Sequence, residues 1–213
     1  MSAPNFPKLD PSSPAFWDVR FAADFTPWER GEAIGSLSAW LQSDEAPTKA
    51  HVLVPGCGSG PELAAFARAG WRVTGVDFSA AGIAKAEQRR AALPAPLSDR
   101  ITLVQADYFV AAPSASSIDV IFESAFLCAL PPRDRQRWAD AASRLRPGAI
   151  LAGYFLLEDL PSQHGPPFAM PEATLEALLQ PHFALVCSSY PTDSIAVFAG
   201  RERWMVWRRK ASA

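Results

Sequence analysis

Three glycines on alternate positions, Gly56, Gly58 and Gly60, follow four strand-like residues in "VLVPGCGSG". Glycines this close together mark backbone that bends tightly or is approached closely by another group. Asp77 ends "VTGVD", 21 positions after Gly56, near the ~20-residue separation of a carboxylate that accepts hydrogen bonds from ribose hydroxyls. In "VQADYF", Asp107 and Tyr108 follow a third apolar run, where an acid can take a purine amino group and a ring can pack on the base. Each feature alone has a plainer reading: the glycines as a tight turn, Asp77 as the cap of the helix in "SAAGIAKA". Together they describe one nucleoside site. A dinucleotide fingerprint, G-x-G-x-x-G, would need glycine at position 61, which is Pro61.

The elements that must carry these residues alternate along the chain. Strands are expected in "HVLVPG", "WRVTGVDFS", "ITLVQADYF", the start of "SIDVIFESAFLCAL", "AILAGYFLL", "FALVCSSY" and "ERWMVWRR". Helices are expected in "PELAAFARAG", "AAGIAKAEQRRAAL", "PPRDRQRWADAASRLRPG" and "EATLEALLQ", with prolines at starts and glycines at stops. Such alternation predicts a doubly wound, Rossmann-like α/β sheet, parallel through five strands. In the last run Trp204 and Val206 face opposite Met205 and Trp207, so one antiparallel strand joined by a hairpin is expected near the C-terminus. In this topology ligands sit beyond the carboxyl ends of the strands, where the glycine turn falls. Residues 1–45, rich in Pro, Phe and Trp, read as irregular chain plus a helix around "ERGEAIGSLSAWLQ". They form a lid segment within a single domain, 1–213, rather than a second domain.

A net charge of −2 gives no general attraction to nucleic acid or to anionic membranes, and no stretch reaches membrane-spanning length. Cys57, Cys128 and Cys187 are odd in number and far apart, as expected of reduced thiols in a cytoplasmic protein. No metal-ligand spacing joins them to His51, His164 or His182. The expectation is a cytoplasmic protein with a small-molecule partner, monomeric by default.

The G-x-G-x-G form is that of class I methyltransferases, and further stretches narrow the likeness. "FWDVRFAADFTPWERG", "VLVPGCGSG", "GVDFS", "FLCALPPRDRQRWA", "GPPF" and "GRERWMVWRR" together resemble the thiopurine S-methyltransferase superfamily, in its thiol and halide methyltransferase branch. The resemblance runs along nearly the whole chain, and "FLCALPP" followed by Arg and Trp is more specific than the glycine turn. It implies S-adenosyl-L-methionine as methyl donor and S-adenosyl-L-homocysteine as product. It implies cofactor contacts at Trp17, Phe21 and Trp28 from the lid, Gly56 and Gly58 in the turn, Asp77 on the ribose, Asp107 with Tyr108 beside adenine, and Phe78 and Glu123 as further contacts. Acceptor walls are expected from Trp28, Phe126, Pro166 and Pro167.

Aromatic positions suit this chemistry, because a sulfonium cation is attracted to ring faces and a lid of rings excludes water. Methyl transfer to a thiol, thiopurine, halide, thiocyanate or chalcogen oxyanion is a one-step in-line displacement that needs alignment rather than proton transfer, so no catalytic acid or base is assigned. Cys128 lies among apolar neighbours as an inert thiol, and His164 reads as a loop histidine without a role. Two departures from the family pattern concern the transfer site: Phe21 stands where relatives often have Trp, and Ser124 where thiopurine types carry Arg and thiol or halide types carry Tyr. The alternatives are a protein that binds the cofactor without transferring its methyl, and an NAD(P)-dependent oxidoreductase, against which Pro61 speaks.

Overall fold

The computed structural model describes residues 4–31, 35–111, 117–159 and 165–211. Seven strands form one sheet: β1 (His51–Pro55), β2 (Arg72–Asp77), β3 (Ile101–Gln105), β4 (Val120–Ser124), β5 (Ile150–Leu156), β6 (Phe183–Ser189) and β7 (Glu202–Arg209). Their order is β3-β2-β1-β4-β5-β7-β6. Every pairing from β3 to β5 is parallel, while β7 runs antiparallel to both β5 and β6. The doubly wound sheet and its reversed final strand are as the sequence predicts. The order turns back between β1 and β4, the switch point beside which ligands bind in this architecture.

Eight α-helices accompany the sheet among the described residues: α1 (Pro14–Ala22), α2 (Ser36–Leu41), α3 (Leu63–Arg68), α4 (Ala80–Ala91), α5 (Ala95–Ser98), α6 (Tyr108–Ala111), α7 (Arg135–Ser143) and α8 (Glu172–Leu179). One core packs α2 and α3 under Trp71 and Phe122, and takes in Trp204 and Val206 from β7. The other packs α7 and α8 through Trp138, Leu175 and Leu179, and takes in Met205 and Trp207. Alternate residues of β7 therefore serve opposite cores, which fixes its register: a one-residue slip would exchange every one of them. Gly153 of β5 lets β4 lie close, since a Cβ there would stand 1.9 Å from the Glu123 carbonyl oxygen.

The amino-terminal segment differs from expectation. Residues before Glu29 are not all irregular, because α1 starts with Ser13 as N-cap and Pro14 at its first turn. Its apolar side chains escape a simple core pattern since only Phe16 and Phe21 are buried, while Trp17 faces a cavity. The helix expected around residues 29–42 is confined in the described chain to α2, which begins after Gly35 at φ 65°; residues 32–34 lie outside the described residues. No helix among the described residues is long and apolar enough to cross a membrane.

Candidate active site

One cavity of about 750 Å³ opens at the carboxyl ends of β1, β2 and β4, beneath α1 and the stretch around Trp28. Its floor is the turn after β1. Gly56, Gly58 and Gly60 all have positive φ, at 59°, 52° and 67°, a region that side-chain-bearing residues enter only at a cost of about 1–2 kcal/mol. Aromatic rings approach the first two glycines, and Leu63 approaches Gly60, where a Cβ would meet it at 2.6 Å. A Cβ on Gly56 would meet Phe126 at 2.3 Å, and one on Gly58 would meet Phe21 at 2.9 Å and a Glu29 carboxylate oxygen at 3.0 Å. Gly56→Ala is accordingly expected to cost about 1–3 kcal/mol and to push Phe126 from its place; a thermal melt unchanged from wild type would contradict this.

Asp77 closes the turn from β2. Its Oδ2 accepts a hydrogen bond from the Gly58 amide at 2.9 Å and its Oδ1 accepts one from the Ser79 amide at 2.8 Å. Burial pushes this carboxyl up to about 6, against the pull of those two amides; Asp18 and Glu29 add to the rise. The cap role proposed for Asp77 as its plainer reading belongs to other residues: Ser79 Oγ accepts from Gly82 N at 3.0 Å, and Asp18 of α1 accepts from Ser79 Oγ at 2.6 Å and from Ala81 N at 3.0 Å. Asp18 thereby ties α1 to the start of α4, helped by an ion pair between Asp24 and Lys85. Phe21, 2% exposed, fits over both Gly58 and Gly82, where a Cβ would meet its ring at 2.9 and 3.1 Å.

Above the turn the rings form a ceiling. Trp28 stands perpendicular to Trp17 (centroids 5.4 Å, 89°) and to Phe21 (5.9 Å, 88°), and Trp17 donates its indole N–H to the Pro11 carbonyl at 2.8 Å. Toward β3, Asp107 is exposed and accepts from Phe109 N at 2.8 Å, while Tyr108 is buried edge-on to Phe126 with centroids 5.4 Å apart. Phe126, expected as an acceptor wall, thus lies between Gly56 and Tyr108 and also borders the side expected for the donor. Pro166 and Pro167 line the far end with Phe198 and Arg201. That stretch is held to the 3-10 turn Leu127–Ala129 by the Phe168 amide, which donates to the Cys128 carbonyl at 2.6 Å.

The structure therefore brings Trp17, Phe21, Trp28, Gly56, Gly58, Asp77, Phe78, Asp107, Tyr108, Phe126, Pro166 and Pro167 around one cavity. Glu123 stands apart from its lining. Strand alternation turns Glu123 away from Ser124: its Oε1 accepts from Leu127 N at 2.8 Å, and its Oε2 is buried without a hydrogen-bond partner among the described residues. His164 lies outside the described residues. Cys128 is buried, and its thiol is pushed well up by desolvation. Sequence reasoning did not single out Glu29 and Glu62, which also line the cavity; the position of Glu62 directly behind the glycine turn was the available signal.

Burial raises the Glu123 carboxyl from 4.5 to about 8. For an acid whose pKa rises on folding, the favourable contribution is present below the unfolded value and is lost as pH climbs through the folded one. Glu123→Gln keeps an acceptor for Leu127 N and cannot ionise. Its stability gain over wild type is expected to grow between pH 5 and 8 by on the order of 1 kcal/mol per unit. Urea midpoints at both ends of that window check it; a constant difference would show that Glu123 does not titrate there.

A glycine turn at the switch point, a carboxylate at the end of β2 and a reversed final strand define a class I S-adenosylmethionine-dependent methyltransferase. The description "Thiopurine S-methyltransferase (TPMT)" matches residues 12–211, and the chain belongs to that family. It is 28% identical over 196 residues to thiocyanate methyltransferase 1 of Arabidopsis thaliana, covering 91% of this chain and 84% of the relative. It is likewise 28% identical to probable thiol methyltransferase 2 of the same plant, over 81% of this chain and 75% of that one. Among solved structures, the 1,6-didemethyltoxoflavin-N1-methyltransferase of Burkholderia thailandensis superposes with a TM-score of 0.73 at 20% identity, over 97% of this chain and 93% of that one; at that identity the likeness speaks for the fold.

Proposed function

We propose that the cavity holds S-adenosylmethionine and a small soft nucleophile, and that the protein methylates a thiol, thiopurine, thiocyanate, halide or chalcogen oxyanion. The observation that carries this reading is Asp77 set against Gly58 beneath an aromatic ceiling, in a chain of this family. The residues fit the donor: carboxylates and ring faces surround the turn, as a cation requires. When bound, the donor supplies a methyl group on a sulfonium, which the acceptor displaces in line.

Asp77 would accept the ribose hydroxyls. Phe78, Asp107 and Tyr108 would hold adenine, with Gly56 and Gly58 giving the donor room. Trp17, Phe21 and Trp28 would cover the sulfonium and keep water out, while Trp28, Phe126, Pro166 and Pro167 would shape the acceptor side. Glu123 would act only indirectly, by fixing the turn that presents Phe126. Alignment and desolvation are the residues' main tasks, and proximity of this kind can supply roughly 7–11 kcal/mol. Relatives named for thiocyanate and thiol acceptors support a sulfur nucleophile.

Incubation with labelled donor and a panel of thiols, thiopurines, thiocyanate, iodide and tellurite tests the assignment. Transfer to at least one sulfur acceptor is expected. Donor binding without transfer to any acceptor would instead establish a cofactor-binding protein. We further read the chain as one domain whose first 45 residues form the lid, and as a cytoplasmic monomer. Its acidic character and three free cysteines support that location, and light scattering checks the monomer.

A further inference from the structure

We infer that Glu62 is the residue that receives the α-ammonium of the donor's amino-acid end, with Ser124 holding its carboxylate in place. The inference rests on the placement of the donor proposed above.

Three acidic side chains surround the glycine turn and line the cavity: Glu29, Glu62 and Asp77. None has an ion-pair partner among the described residues. Two are committed to backbone amides. Glu29 takes the Ser59 amide at 2.9 Å, and Asp77 takes those of Gly58 and Ser79. Glu62 differs. At 6% exposure it is buried; its Oε1 accepts from Ser124 Oγ at 2.9 Å, its own backbone amide also donates to the carboxylate, and no cation is bonded to it among the described residues.

A carboxylate withdrawn from water with only neutral donors is costly unless a cation completes it. Arg30 acts on Glu62 only through space: its terminal nitrogens are engaged elsewhere, in an ion pair with Glu202 and a hydrogen bond to the Asp193 carbonyl at 3.1 Å, its face lies over the Tyr154 ring at 3.8 Å, and its Nε has no hydrogen-bond partner among the described residues. The missing partner is a compact cation carrying several N–H donors. A sulfonium has none, and the adenosine half of the donor carries no positive charge. The α-ammonium is the donor's one group of that chemistry. Position agrees: Asp77 sits on one side of the turn, while Glu62 and Ser124, at the end of β4, stand on the other, where the chain beyond the ribose and sulfur would lie.

Three ligands separate this role from a structural one. S-adenosylhomocysteine carries the ammonium, 5′-methylthioadenosine lacks the whole amino-acid end, and the deaminated analogue of S-adenosylhomocysteine keeps the carboxylate alone. By calorimetry, Glu62→Gln is expected to weaken S-adenosylhomocysteine ~10–100-fold, the loss of a charge-assisted hydrogen bond. It should change methylthioadenosine and the deaminated analogue by no more than about threefold. Ser124→Ala should produce a smaller loss with the same selectivity, which keeps the test available if Glu62→Gln folds poorly. Equal losses for all three ligands, or an unchanged S-adenosylhomocysteine affinity, would overturn the inference while leaving the nucleoside placement standing. A wild-type protein that binds none of them would remove that placement and the inference together.

Discussion

Asp77→Ala is expected to weaken S-adenosylhomocysteine binding by ~100-fold or more while leaving the protein folded. A hydrogen bond to a charged acceptor contributes roughly 1.5–3 kcal/mol, and a ribose offers two hydroxyls to one carboxylate. The variant also frees the amides of Gly58 and Ser79, which Asp77 now holds. Water entering the cavity can satisfy the first of these, and loss of a desolvated carboxylate offsets part of the cost. Asp77→Asn, which keeps an acceptor oxygen but no charge, should fall between the two. Affinity of the wild type should decline as pH drops below 6, because Asp77 and Glu62 both take up protons near there, and Asp77→Ala should lose part of that decline. Calorimetry that finds the alanine variant binding as tightly as wild type would remove Asp77 from the ribose.

Why this site was partly legible follows from how its residues are spaced. The turn and Asp77 end successive strands, so their separation is set by one helix and one strand, and a parallel sheet brings the strand ends side by side. The opposed faces of β7 were equally plain, because a strand buried on both sides alternates between two cores. Two things were hidden. The first was α1, whose Trp17 and Phe21 serve a cavity and not a core stripe, so that the helical period is blurred. Its Ser13-Pro14 start was nonetheless present as a signal. The second was the pairing of Glu62 with Ser124, which lie 62 positions apart and meet only because β4 lies beside β1. Glu123 and Ser124 show the same limit: adjacent strand residues point to opposite faces, and of the two it is Ser124 that lines the cavity.

Trp28 offers the second large effect, since it is the one residue assigned to both donor and acceptor. Its ring meets Trp17 and Phe21 edge-on and packs against the cluster of Cys128, Leu156, Ala169 and Phe198. Truncation to alanine would remove a ring face worth ~0.5–2 kcal/mol to a nearby cation and open the chamber to water at the transferring methyl. The loss in kcat is therefore expected to exceed the loss in donor affinity: kcat down ~30–300-fold, with the donor Kd raised ~3–10-fold. Trp28→Phe should recover most of both, because it restores a ring of nearly the same reach. Trp28 is only half-buried, so the alanine variant should remain folded and its kinetics measurable. If Trp28→Ala lowers the melting temperature yet turns over a thiol acceptor at the wild-type rate, the ring serves packing, and the ceiling over the sulfonium must be built from Trp17 and Phe21 alone.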